Sequence, residues 1–150
     1  MNAPIVRALR KADRPEWEKL WAGYLEFYES HLAPEVTDTT FERLIAPTEP
    51  MFGLVAEDER GVLLGFVHCV LHRGTWSVED HCYLEDLFVA SEARGHGVGR
   101  ALIEAVYARA DELKLSRVYW MTHETNATAR KLYDQIAERS GFIQYRRARL

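Results

Sequence analysis

The 150-residue sequence predicts an α/β fold: a mixed, mostly antiparallel central sheet flanked by helices, with a β-α-β unit in its second half. Two observations carry this. Phe52 to Glu57 and Val62 to His72 read as strands, and Asp58-Glu59-Arg60-Gly61 between them reads as a hairpin turn, so this part is antiparallel. Further on, an alternating run from His81 to Val89 leads through a glycine loop into a helical pattern and then a strand from Arg117 to Thr122. A strand–helix–strand run of that kind closes as a right-handed parallel crossover. The length suits one domain over residues 1–150, able to bury a core without disulfide or metal staples.

Taken in order, Ile5 to Leu9 suggests a first strand. Asp13-Arg14-Pro15-Glu16 reads as a helix start: Asp13 can cap, Pro15 fits the first turn, and Glu16 stands three residues after the cap. Trp17, Leu20, Trp21, Tyr24, Leu25 and Tyr28 then recur at helical spacing. Most of that stripe is core by its chemistry, but Trp21, Tyr24 and Tyr28 are large amphipathic rings with Glu26 and Glu29 nearby, so one edge can line a pocket. Pro34 is expected to break the chain, and Thr39-Thr40-Phe41-Glu42 to open a short second helix ending before Pro47. After the two hairpin strands and the His81–Val89 strand, Val98, Leu102, Ala105, Val106, Arg109 and Leu113 trace a helix with one apolar face. Asn126 can cap another helix, with Ala129, Leu132, Tyr133 and Ile136 inward. Gly141 is expected to end it, and Phe142 to Arg147 to form a last strand.

The composition, 47% hydrophobic and 28% charged with a net charge of -4, is that of an ordinary globular protein and argues against nonspecific nucleic-acid binding. Arg146, Arg147 and Arg149 make too short a basic tail to change that. Two cysteines, Cys69 and Cys82, imply no disulfide framework and point to the cytoplasm. No apolar run approaches membrane-span length, no signal peptide opens the chain, and there is no repeat. His68, Cys69, His72, His81 and Cys82 include metal-ligating types, but on strands their spacing scatters them over both faces, so no metal site is expected.

The informative stretch is Cys82 to Gly99, above all Arg94-Gly95-His96-Gly97-Val98-Gly99. Three alternating glycines let a ligand approach the backbone closely. A helix starting there aims unpaired N–H groups and its positive dipole end at an anion, with Arg94 and Arg100 on either side. A tight turn alone would also use glycines, but three in alternation between two arginines favour phosphate. The dinucleotide fingerprint fails because Arg100 occupies the third glycine's place, and no Walker A loop is present.

These residues resemble the GNAT superfamily of N-acetyltransferases. Arg94, Gly97 and Gly99 fit the defining positions of its pyrophosphate loop, and Tyr83-Leu84-Glu85-Asp86-Leu87-Phe88-Val89 looks like the strand before it in spermidine/spermine-type members. Asn126, Ala129, Leu132 and Tyr133, then Ser140-Gly141-Phe142, look like the later helix and the glycine-aromatic turn after it. The match is dense from Leu63 to Phe142 and loose before Pro50. One departure is the stretch Asp134 to Ser140, which lengthens the run between Tyr133 and Gly141 and extends the helix or its exit.

The resemblance implies acetyl-CoA as cosubstrate and direct transfer to an amine. Backbone groups of Leu87, Phe88 and Val89 would hold the pantetheine arm like an added strand, and Arg94, Gly95, His96, Gly97, Val98, Gly99 and Arg100 the pyrophosphate. Asn126 and Ala129 would meet the coenzyme, although Asn126 alternatively only caps its helix. Glu85 would be the base, on a strand face shared with Tyr83 and Leu87 while Asp86 points the other way. The competing reading makes Glu85 a structural ion-pair partner. Tyr133 would protonate the leaving thiolate, or be simply a core tyrosine. The acidic balance and the aromatic-acidic first helix favour a small cationic amine or amino acid as acceptor, bound by Trp21, Tyr24, Tyr28 and Glu85. A peptide or protein amine is the alternative acceptor, and a catalytically silent acyl-CoA-binding module the alternative function. A homodimer is the family's habit.

Overall fold

The computed structural model of the chain describes residues 2–149. The chain forms two compact units, the first running to Trp120 and the second beginning at Met121.

The first unit holds a five-stranded sheet whose spatial order follows the chain: β1 (Ile5–Ala8), β2 (Met51–Glu57), β3 (Leu63–His72), β4 (His81–Val89) and β5 (Arg117–Tyr119). The first three pairings are antiparallel, and β4 with β5 is parallel. The β2–β3 turn forms as expected, because the Asp58 carboxylate accepts from the backbone N–H groups of Arg60 and Val62, both at 2.9 Å. On one face lie α1 (Arg14–Phe27) and α2 (Pro34–Ile45), and a core of Leu9, Trp17, Trp21, Phe41, Leu44, Val55 and Phe66 closes between them and the sheet. On the other face α3 (Val98–Glu112) buries Val98, Leu102, Ile103 and Val106. Gly65 of β3 belongs to that face: a Cβ there would stand 2.5 Å from the Phe88 carbonyl oxygen and 3.5 Å from Leu102.

Helix starts differ from the sequence reading in instructive ways. Asp13 does precede α1, but no side-chain cap forms, because its carboxylate is taken by the Arg7 guanidinium at 2.8 and 2.9 Å and the Arg10 N–H at 2.8 Å. Glu16 likewise does not reach back to the helix start; it accepts from the Leu63 N–H at 3.1 Å, tying α1 to the first residue of β3. Pro34 opens α2 instead of breaking the chain, since a first-turn proline has no N–H to leave unpaired and its φ suits a helix. β5 is shorter than the expected strand and stops at Tyr119.

The second unit holds α4 (Ala127–Ile136), whose less exposed side carries Ala129, Leu132, Tyr133 and Ile136. Asn126 caps it by accepting from the Ala129 N–H at 3.3 Å. The helix ends at Ile136, not at Gly141: Ala137 is already extended, so the extra length of Asp134 to Ser140 falls mostly in the exit. The strand expected from Phe142 to Arg147 is absent; among the described residues no ladder includes it, and an isolated strand has no partner for its N–H and C=O groups.

Candidate active site

The irregularity that shapes the site lies in β4. Opposite β3, Asp86 pairs with His68 and Leu84 with Cys69, so Glu85 is an extra residue, a β-bulge. The extra residue reverses the alternation. Below it Cys82 and Leu84 face α3 while His81 and Tyr83 face the α1 side; above it Leu87 and Val89 face α3 while Asp86 and Phe88 face the α1 side. The expectation that Glu85 shares a face with Tyr83 and Leu87 while Asp86 points the other way is therefore corrected. The bulge puts two consecutive carboxylates on one face and sends Leu87 to the other.

Asp86 is held by two donors. The Tyr24 hydroxyl donates to Oδ1 at 2.6 Å, and His68 Nδ1 lies 2.9 Å from Oδ2. His68 is in turn met at Nε2 by the Trp17 indole N–H at 3.0 Å. Burial and then the Asp86 charge push the Tyr24 hydroxyl far above its ordinary range, so it remains a donor. Tyr28, packed on Tyr24 with ring centroids 5.0 Å apart, is raised by the same two causes. Glu85 is exposed as a residue, yet partial loss of water at its carboxyl and the neighbouring Asp86 raise its proton affinity above the usual glutamate value. Tyr83 is raised by burial and by both carboxylates. Of the first-helix rings assigned to the acceptor, Tyr24 thus reaches the Asp86 carboxylate and Tyr28 packs on Tyr24, whereas Trp21 is core. Its ring is 6% exposed, stacked 5.2 Å from Tyr24, and its N–H is bonded to Thr37.

The sequence reading missed His68, Asp86 and Trp17. A signal existed: adjacent acidic residues in mid-strand, with apolar neighbours on both sides, fit a regular alternation poorly. The mixed row of histidines and cysteines also sorts by face. His68, His72 and His81 share the α1 side, and Cys69 and Cys82 lie on the opposite side, both buried.

The ladder between β4 and β5 covers only His81–Tyr83. The Ala90 N–H bonds to Leu64 on β3, so by antiparallel alternation the N–H groups of Leu87 and Val89 point to the opposite, unladdered edge. Beyond that edge comes the glycine loop. Gly95 and Gly97 take φ of 81° and 79°, left-handed values, and nothing lies within 4 Å of where their Cβ atoms would be. Gly97 is the residue before α3, no side chain caps the helix, and its first internal bond is from the Ala101 N–H to the Gly97 carbonyl. The N–H groups of Val98 and Gly99, ahead of the first internal bond, therefore form a donor pair suited to a diphosphate. Arg94 lies along the sheet, donating from Nε to the Val89 carbonyl at 3.1 Å and covering Phe27 and Phe88, while Arg100 pairs with Glu104 at 3.0 Å. Tyr133 and Asn126 belong to α4 and its cap.

A five-stranded, mostly antiparallel sheet with an irregular fourth strand, an amide-rich loop and helix after it defines an acetyl-CoA-dependent acyltransferase fold. The chain belongs to the acetyltransferase (GNAT) family, whose model matches residues 8–137. It is 43% identical over 144 residues to the D-amino-acid N-acetyltransferase of Saccharomyces cerevisiae, covering 95% of this chain and 89% of that one. It is 30% identical over 89 residues to the L-ornithine N5-acetyltransferase of Arabidopsis thaliana, a match over 59% of this chain and 39% of that one. Among solved structures, AAC(6')-Iy in complex with the bisubstrate analogue CoA-S-monomethyl-acetylneamine superposes with a TM-score of 0.83 at 19% identity, over 99% of this chain and 100% of that one. The chain is thus an acetyl-CoA-dependent N-acetyltransferase. Among the described residues no helix is long and apolar enough to cross a membrane.

Proposed function

We propose that this enzyme acetylates the amino group of a small molecule, with amino acids and related cationic amines as the acceptor class, and that residues 1–150 act as one catalytic domain. The observation that carries the reading is the pair of adjacent carboxylates, Glu85 and Asp86, on one strand face with Tyr24 and Tyr28. Two anions rimmed by aromatic rings suit a compact ammonium ion. The acceptors for which the yeast and plant relatives are named, a D-amino acid and ornithine, are of that class.

In this reading the loop amides from Gly95 to Arg100, including those of His96 and Val98, receive the coenzyme's diphosphate. The N–H groups of Leu87 and Val89, beside Phe88, receive the pantetheine arm, and one of them faces the thioester oxygen as negative charge develops there. Asn126 and Ala129 contribute to holding the coenzyme. Glu85 removes the ammonium proton, and the amine nitrogen attacks the carbonyl carbon. As the C–S bond breaks Tyr133 protonates the departing thiolate, while the second nitrogen proton leaves to solvent, from which Tyr133 recovers its own. A raised proton affinity at Glu85 makes it a better base than an ordinary surface glutamate. The enzyme works in the cytoplasm as a homodimer, to which the strand-like residues 142–147 contribute; light scattering on the purified chain checks its mass.

The deciding experiment is an acceptor screen that follows coenzyme A thiol release with D- and L-amino acids, ornithine, spermidine and a short peptide. Turnover on one of the small amines, slowed by Tyr133→Phe with coenzyme binding retained, is the expected outcome. Turnover on the peptide alone would assign a protein acceptor. Tight coenzyme binding with no turnover on any acceptor would leave a silent acyl-CoA module.

A further inference from the structure

Behind Asp86 lies the buried pair Trp17–His68, and direct transfer makes no use of those two rings. His68 is 2% exposed and Trp17 fully buried, so water satisfies neither ring. An indole N–H can only donate, so His68 Nε2 must present its lone pair to Trp17 at 3.0 Å. The ring proton therefore sits on Nδ1, aimed at Asp86 Oδ2 at 2.9 Å. A histidine so placed is a neutral donor and leaves the carboxylate's charge in place. Were Nε2 protonated as well, the imidazolium would cancel that charge and face the indole N–H with a second donor.

We propose that Trp17 and His68 are positioning residues for the transfer reaction, holding Asp86 as an uncancelled anion beside Glu85 so that Glu85 works against a permanent neighbouring charge. The inference rests on Glu85 being the base. Among the described residues, the groups around the two carboxylates are Tyr24 and Tyr28 from α1, His68 from β3, Tyr83 within β4, and Tyr119 of β5, stacked 5.1 Å from Tyr83. His72 of β3 joins this group at one remove, with Nε2 2.6 Å from the Tyr119 hydroxyl. The others are phenols apart from His68, the basic group in direct contact with Asp86, so its protonation is the one that cancels the Asp86 charge.

The test is the pH dependence of kcat/KM with acetyl-CoA and, in parallel, D-phenylalanine and ornithine, for the purified full chain. Asp86→Asn removes the neighbouring charge, so the acidic limb should move to lower pH by on the order of one unit. His68→Leu removes the Nδ1–H donor that fixes Asp86 beside Glu85, and should move the limb away from its wild-type position. His68→Gln can still accept from Trp17 and donate to Asp86 without carrying charge, and should restore the wild-type limb; a purely structural role would not separate the two substitutions by pH profile. Independently of activity, nitrogen NMR of the wild-type chain should show His68 protonated at Nδ1 alone. A limb unmoved by both Asp86→Asn and His68→Leu, or an Nε2-protonated ring, overturns the proposal. If Glu85→Gln keeps the wild-type limb, Glu85 is not the base and the parent reading has failed instead.

Discussion

At the scale of single residues, two positions separate ligand binding from stability. Gly97 holds a left-handed φ immediately before α3, with open space where a Cβ would stand. Gly97→Ala should therefore cost about 1–2 kcal/mol of backbone strain and put a methyl group among the donor amides. Coenzyme A titration calorimetry is expected to give roughly tenfold weaker binding, each tenfold being about 1.4 kcal/mol; unchanged affinity would remove the loop from the coenzyme site. Asp13 acts on stability alone. The Arg7 guanidinium, then the Arg10 N–H, holds its carboxyl below the usual aspartate range despite burial. A carboxylate lowered in the folded state stabilises above its unfolded pKa, and that contribution fades as pH falls through the folded value. Asp13→Asn should cost about 2–4 kcal/mol near neutrality and flatten the acid side of the stability curve, as denaturant melts from pH 7 down to 3 will register. Glu85 has the opposite sign: raised in the fold, it detracts from stability as pH climbs above the ordinary glutamate value.

At the scale of elements, the ends of β3 and β4 are fixed by backbone proximity. A Cβ on Gly65 would strike the Phe88 carbonyl, a backbone atom that cannot swing aside, so Gly65→Ala should destabilise by about 2–3 kcal/mol in thermal melts. The limits of β4 were readable in the alternation of His81 to Val89, and α3 in the apolar spacing from Val98 onward. The bulge at Glu85 was not, because register is a property of two strands and the sequence of one cannot state it. That single missing fact displaced Asp86 from the site and concealed His68. Asp13 and Glu16 failed as a capping pair for a related reason: Arg7 and the Leu63 N–H compete for their carboxylates from outside the helix. The run Phe142 to Arg147 has strand chemistry, but a strand exists only beside another.

For the whole molecule, the fold class followed from the hairpin and the crossover, and the open turn before α3 from its glycines, since each is a local pattern. Both cysteines are fully buried on the α3 side of the sheet, and the Cys82 contact together with burial holds the Cys69 thiol far above its ordinary range. Ellman's reagent should find no fast-reacting thiol in the native chain and two after denaturation; rapid native labelling would show that the sheet opens. The spatial order of the strands, identical to their order along the chain, has a kinetic consequence. β2, β3 and β4 follow one another through short connections and can pair as they are synthesised, whereas β1 meets β2 only across α1 and α2. β5 must wait for α3 to pass over the sheet. The crossover that carries the glycine loop is therefore the last part of the sheet to be synthesised, and it adds the one parallel strand.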